Sequence, residues 1–297
     1  MNKSHFFRSI AILFVALVVS STSSLRAQEW LGPNSFTGIY AFGDSLTDTG
    51  NFFDLTGLPP EPYFEGRVSN GIVWIEYLAL AMQLDAGSVV NYAYAGATTG
   101  RENENDIPGI FEFPGLQDEL DFFEADLGGN SADQSALYVV WAGANDFFVS
   151  GPSAATIATA VGNNVVAVQR LHQAGAQRIM VVNMPDLGLT PYGRSVDAAG
   201  LSFISAVYND SLDSALDELA AAGIKTMRVD ASSRVQDMVA QPQQFGFSNV
   251  VDAFLPAFVG DPSEFLFWDS VHPTTRGHFF FAEEAMGVLR KKLRYRR

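Results

Sequence analysis

Ile39-Tyr40-Ala41-Phe42-Gly43-Asp44-Ser45-Leu46 is an apolar run that stops at a Gly-Asp-Ser turn. A short apolar run bounded by turn residues reads as a buried strand. Similar runs recur at 89–92, 136–141, 178–183 and 224–229. The run at 136–141 is apolar on both faces, as the central strand of a parallel sheet must be. Between the runs lie amphipathic stretches with helical spacing, at 71–84, 154–174, 201–222 and 274–293. Gly175 and Gly223 suit the ends of the second and third, and Pro273 and Thr274 suit the start of the last. Strand and helix therefore alternate, which predicts an α/β fold with parallel strands joined by helices.

Three segments do not fit this alternation. Residues 54–70 are rich in Pro, Gly and aromatics, and residues 102–115 are acidic and contain Pro108 and Pro114. Residues 241–264 carry Phe245, Phe247, Phe254, Leu255 and Phe258 with three prolines. Long irregular loops in a domain of this size are often functional. Their aromatics fit either of two roles, lining an acyl-binding cleft or covering the edge of the sheet.

The start of the chain has the order of an export signal. Lys3 and Arg8 precede an unbroken apolar run at 10–19, and a Ser-rich stretch leads to Ala27. Such a core is short for a bilayer span, so residues 1–27 are expected to be a secretory signal cleaved after Ala27, with Leu25 an imperfect fit at the −3 position. An uncleaved anchor is the other reading. Residues 28–297 are expected to form one domain that is secreted or periplasmic. The absence of cysteine excludes disulfides, thiolate catalysis and Cys-based metal sites. The net charge is −15, and loss of Lys3, Arg8 and Arg26 with the signal would make it −18. So acidic a chain excludes nucleic acid as an expected partner. The exception is the tail, where Arg290, Lys291, Lys292, Arg294, Arg296 and Arg297 crowd together. They suit either transient contact with an anionic lipid surface or the negative end of the final helix dipole.

Chemistry enters through Asp269-Ser270-Val271-His272-Pro273. A serine attacks an ester only if a base takes its proton, and that base needs a partner to fix its tautomer. Beyond the signal the histidines are His172, His272 and His278. His172 falls near the end of a long helix, where it complements the dipole. His278 falls in the opening turn of the last helix beside Phe279, Phe280 and Phe281, a structural setting. His272 has a carboxylate three residues before it and a proline after it. Ser45 sits at the carboxyl end of the first strand, where ligands collect in open α/β sheets. Asp269 can accept from one ring nitrogen of His272 while the other faces Ser45. A metal reading of Asp-x-x-His lacks further clustered ligands. For an oxyanion hole the candidates are the N–H groups of Ser45 and Gly96 and the side-chain amide of Asn145. A Cβ at Gly96 is expected to obstruct the approach of substrate.

The stretch Tyr40 to Asn51 resembles the first conserved block of the GDSL, or SGNH, hydrolases. Residues 91–96 are similar to the family's glycine block, Gly143-Ala144-Asn145-Asp146 to its Gly-x-Asn-Asp block, and Phe267 to Thr274 to its closing block. Arg67 to Asn70, with Trp74 and Tyr77, also resembles the region after the first block in plant-type and bacterial members. The resemblance puts the family's four namesake residues on Ser45, Gly96, Asn145 and His272, with Asp269 completing a triad. It implies a three-layer α/β/α sandwich with a five-stranded parallel sheet, flavodoxin-like, and ester hydrolysis through an acyl-serine without metal or organic cofactor. Around Ser45 the Gly-x-Ser-x-Gly elbow of the α/β-hydrolases is absent. The expected partner is a small-molecule or lipid ester, and the expected state a monomer. An acyltransferase using lipid or glycan acceptors is the nearer alternative; a catalytically silent lipid- or carbohydrate-binding protein is the more distant one.

Overall fold

The computed structural model describes residues 36–294. The signal expected at 1–27, and Arg296 and Arg297 of the basic tail, lie outside the described residues. The strands are β1 (Ile39–Gly43), β2 (Val89–Asn91), β3 (Leu137–Trp141), β4 (Ile179–Val182), β5 (Thr226–Val229), β6 (Asn249–Ala253) and β7 (Phe265–Phe267). The helices are α1 (Asn51–Thr56), α2 (Trp74–Ala81), α3 (Leu116–Leu127), α4 (Ala144–Ser150) and α5 (Ala154–Ala174), then α6 (Pro191–Val196), α7 (Ala198–Ala221), α8 (Ala231–Ala240) and α9 (Thr275–Arg294).

Every residue of β3 is buried. Leu137, Val139 and Trp141 point into one apolar layer, while Tyr138 and Val140 point into the other. Each such side chain contributes roughly 1.5–3 kcal/mol when fully buried, so a strand covered on both faces has no room for a polar residue. The first layer holds Trp74, Ile75 and Leu78 of α2, Val235 and Met238 of α8, and Phe281, Met286 and Leu289 of α9. The second holds Leu116, Leu120 and Phe123 of α3, Val168 and Leu171 of α5, and Tyr208 and Leu212 of α7. Helices thus cover both faces of the sheet, the expected three-layer sandwich.

The sheet order is β2-β1-β3-β4-β5, and every pair is parallel. The chain leaves β1 for β2 on one side and then crosses to β3 on the other. This reversal opens a crevice at the carboxyl ends of β1 and β3. Register keeps those ends level, because Gly43 lies opposite Trp141.

The predicted strands and helices are all present, with ends displaced by at most a few residues. The structure adds the short helices α1, α4 and α6, and also α3 and α8, whose buried residues still fall at helical spacing: Leu116, Leu120 and Phe123 in α3, Ala231, Val235 and Met238 in α8. Five acids in α3 and the shortness of α8 weaken those patterns in the sequence. The Phe-rich segment contributes β6, which pairs with β7 in a small parallel sheet. Phe245 packs edge-on against Phe280, and Phe254 stacks on Trp268 at 5.3 Å. Between the two roles open to these aromatics, covering the fold is the one that Phe245 and Phe254 take.

Candidate active site

The turn after β1 carries Ser45. Gly43 has φ +145°, and a Cβ there would lie 2.1 Å from the Trp141 carbonyl oxygen, so the close approach of β1 and β3 requires glycine. The Asp44 carbonyl accepts from the N–H of both Thr47 and Asp48, and its Oδ1 accepts from Leu46 N–H at 3.0 Å. Two further buried carboxylates fix the surroundings. Glu119 of α3 accepts from Gly43 N–H at 2.8 Å and from Tyr94 N–H at 3.2 Å. Asp48 accepts from the backbone of Gly50, Asn51, Phe52 and Ala95. The Ser45 turn and the loop that carries Gly96 are thereby tied to each other.

His272 follows β7 in a turn closed by Trp268 N–H donating to its carbonyl at 2.8 Å. The expected trio meets. Ser45 Oγ lies 2.8 Å from His272 Nε2. His272 Nδ1 lies 2.9 Å from Oδ1 and 2.8 Å from Oδ2 of Asp269. An ionised carboxylate can only accept, so Nδ1 carries the proton and Nε2 is left to accept from the serine hydroxyl. Asp269 Oδ1 is also held by the N–H groups of Val271 and His272. Oδ2 accepts from the Tyr63 hydroxyl at 3.0 Å, a residue that the sequence reading did not single out.

Electrostatics follow from these contacts. Burial pushes the Asp269 carboxyl upward, but the adjacent imidazolium charge and the hydrogen bonds outweigh it and bring the pKa to about 2. Burial pushes His272 downward, and the negative charges of Asp269, Asp44 and Glu104 with the Asp269 hydrogen bond leave it net raised. Asp269 is thus ionised at neutral pH and His272 is a strengthened base.

Asn145 opens α4 at the end of β3, and its Nδ2 donates to Ala97 carbonyl at 3.0 Å. One amide hydrogen remains for another acceptor. Among the described residues neither the Ser45 N–H nor the Gly96 N–H has an acceptor in the protein. Gly96 has φ +84°, and the atoms a Cβ would meet there are Asn105 Nδ2 at 2.2 Å and Asn103 Oδ1 at 2.3 Å. The neighbours that demand glycine are therefore two asparagine side chains of the 102–115 segment.

Ser45, Asn145 and His272 open onto a cavity of about 490 Å³. Phe147, Phe148, Leu187, Tyr192, Val235 and Leu266 supply much of its apolar wall. Glu104 and Asp186 are carboxylates on the same wall. Of the Phe-rich stretch that ends at β7, only Leu266 and Phe267 reach this lining. Phe148 and Tyr192, which meet edge-on at 5.6 Å, were not legible as pocket residues. His278 is fully buried and faces Phe281, and burial drives its pKa to about 3, so it stays neutral. Among the described residues no three His, Asp or Glu side chains gather as metal ligands.

The chain is 30% identical to phosphatidylcholine-sterol acyltransferase of Aeromonas hydrophila, over 91% of this chain and 93% of that protein. It is 25% identical to an Arabidopsis thaliana GDSL esterase/lipase, over 99% and 100% of the two chains. The secreted effector protein SseJ of Salmonella typhimurium is 26% identical, over 83% of this chain and 62% of the effector. A family model, GDSL-like lipase/acylhydrolase, matches residues 39–285. With the match running from the first residue of β1 into α9, the chain belongs to the GDSL-like lipase/acylhydrolase family.

Proposed function

We propose that the protein hydrolyses carboxylic esters through an acyl-serine intermediate. The unbroken chain from Ser45 Oγ through His272 to Asp269, at 2.8 Å for each of its two closest contacts, carries this reading. Ser45 attacks the carbonyl carbon as His272 Nε2 takes its proton. The oxyanion is held by the N–H groups of Ser45 and Gly96 and by the Asn145 amide. His272 returns the proton to the leaving alcohol; water, deprotonated by the same nitrogen, then attacks the acyl carbon, and the acid leaves as the acyl–Oγ bond breaks and Nε2 gives the proton back to Ser45. Asp269 orients the ring and stabilises its cationic form.

The apolar cavity beside Ser45 favours esters with an apolar acyl group. Its volume of about 490 Å³ lies within the usual range for a single small ligand. Hydrolysis of p-nitrophenyl esters of increasing chain length tests both points. Ser45→Ala and His272→Ala should abolish turnover, and full activity in either variant overturns the assignment. Transfer of the acyl group to an alcohol is the second reading, supported by the acyltransferase name of the Aeromonas relative. Product analysis with an added alcohol separates it from hydrolysis. We also propose export, on the strength of the leader residues at 1–27. Among the described residues no helix is long and apolar enough to cross a membrane.

A further inference from the structure

Asp269 has two oxygens in unlike settings. Oδ1 is anchored by two backbone N–H groups of its own turn, at 2.9 and 2.8 Å. Oδ2 shares the imidazole Nδ1 and has one other donor, the Tyr63 hydroxyl at 3.0 Å. Tyr63 belongs to the irregular segment before α2, far from Asp269 in sequence. Its ring stands edge-on to Trp268 at 6.1 Å, which fixes where the hydroxyl points. The same segment is fastened to the histidine turn at two more points. Ser69 Oγ donates to Pro273 carbonyl at 2.9 Å, and Asn70 Oδ1 accepts from Thr275 N–H at 2.8 Å.

We propose that Tyr63 is a positioning residue that holds Asp269 Oδ2 and thereby sets the basicity of His272. This deepens the esterase reading of the site and rests on it. A carboxylate that accepts from a phenol shares its charge between two donors, and so binds the imidazolium less strongly than it would alone. Burial and the charge of Asp269 raise the Tyr63 phenol far above its ordinary value, so it stays protonated and can only donate. The other titratable groups around His272 are Ser45 and Asp44 on the β1 turn, Glu104 on the 102–115 segment and His278 on α9. None of them contacts Asp269 Oδ2 among the described residues, so the phenol acts on the pair independently of them.

Tyr63→Phe keeps the ring and removes the donor. The His272 midpoint, read by NMR of its ring proton and by the acid limb of kcat/KM, should rise by about half to one pH unit. Ser69→Ala loosens the same segment without touching Asp269, and should leave the midpoint in place. Replacement of Tyr63 by 3,5-difluorotyrosine provides a stronger donor and should move the midpoint downward. It also keeps the inference testable if the phenylalanine variant fails to fold. An unchanged midpoint in the Phe or the difluorotyrosine protein overturns the proposal, as does a Ser69→Ala shift equal to that of Tyr63→Phe. Because the NMR titration needs no turnover, an inactive wild-type protein would sink the esterase reading while leaving this test intact.

Discussion

Replacing Asp44 by Asn would remove a buried charge while keeping the turn that charge sits in. The side chain is 3% exposed, and its one hydrogen bond comes from Leu46 N–H to Oδ1, which an amide oxygen accepts equally well. Burial raises the Asp44 carboxyl from the usual 3.8 to about 7; the Leu46 N–H and the His272 charge pull against it, while Asp146 and Glu104 push with it. An acid whose folded pKa is raised favours the folded state at low pH, where it is neutral in both states. That advantage is lost as pH climbs from the unfolded pKa, near 4, to the folded one, near 7. About three pH units correspond to about 4 kcal/mol on full ionisation. Asp44→Asn should therefore match the wild type near pH 4 and gain stability steadily to about 4 kcal/mol above pH 7, where the difference levels off. Urea melts followed by tryptophan fluorescence at intervals between about pH 4 and pH 9, compared at equal m-value, measure the gap directly. A gap that stays flat across this range refutes the argument, since it would mean that Asp44 titrates alike in both states. The amide also removes one negative charge facing His272, so the acid limb of esterase activity should move to lower pH in the variant.

Three other outcomes follow from the same geometry. Asn145→Ala should lower kcat by about 10²–10³ with little change in KM, the usual loss for one oxyanion donor, and a decrease below tenfold removes Asn145 from that role. Gly96→Ala should destabilise the protein by more than about 1 kcal/mol, since a residue with a Cβ is strained at positive φ. Its new methyl would also press on Asn103, whose amide is pinned to Ala95 and Pro114 carbonyls and cannot yield, so an unchanged melting temperature would contradict the structure. For the wild type, the base must be neutral to accept the Ser45 proton and its pKa is raised from 6.5, so kcat/KM should fall through a midpoint above that value as pH decreases. A midpoint below pH 6 would show that Asp269 does not support His272 as described.

How much of this the sequence disclosed depends on the range over which each feature is encoded. The inner strands β1, β3 and β4 are legible because a parallel strand between two others is apolar on both faces, so each short run carries its own signal. The edge strands β2 (Val89–Asn91) and β5 (Thr226–Val229) are more polar and show through their place in the alternation with helices. β6 and β7 lack that signal, since their pairing is irregular and joins residues such as Asn249 and Phe265 across a long loop. The Asp269–His272 pair is legible for a similar reason: its three-residue spacing lies within one turn, and the chain has only four histidines to choose from. Ser45 then follows from chemistry, although 227 residues separate it from His272, because a base calls for a nucleophile and Ser45 sits at a strand end, where ligands collect. Tyr63 had neither advantage. It is one of nine tyrosines, and its contact with Asp269 spans 206 positions. Phe147, Phe148 and Tyr192 line the cavity with side chains that in sequence look like ordinary core residues. The residues that perform the proposed reaction are thus constrained in type and can be found by type. Those that tune the base and shape the acyl pocket are constrained chiefly in position, and position exists only once β1, β3 and the 54–70 segment have been brought together.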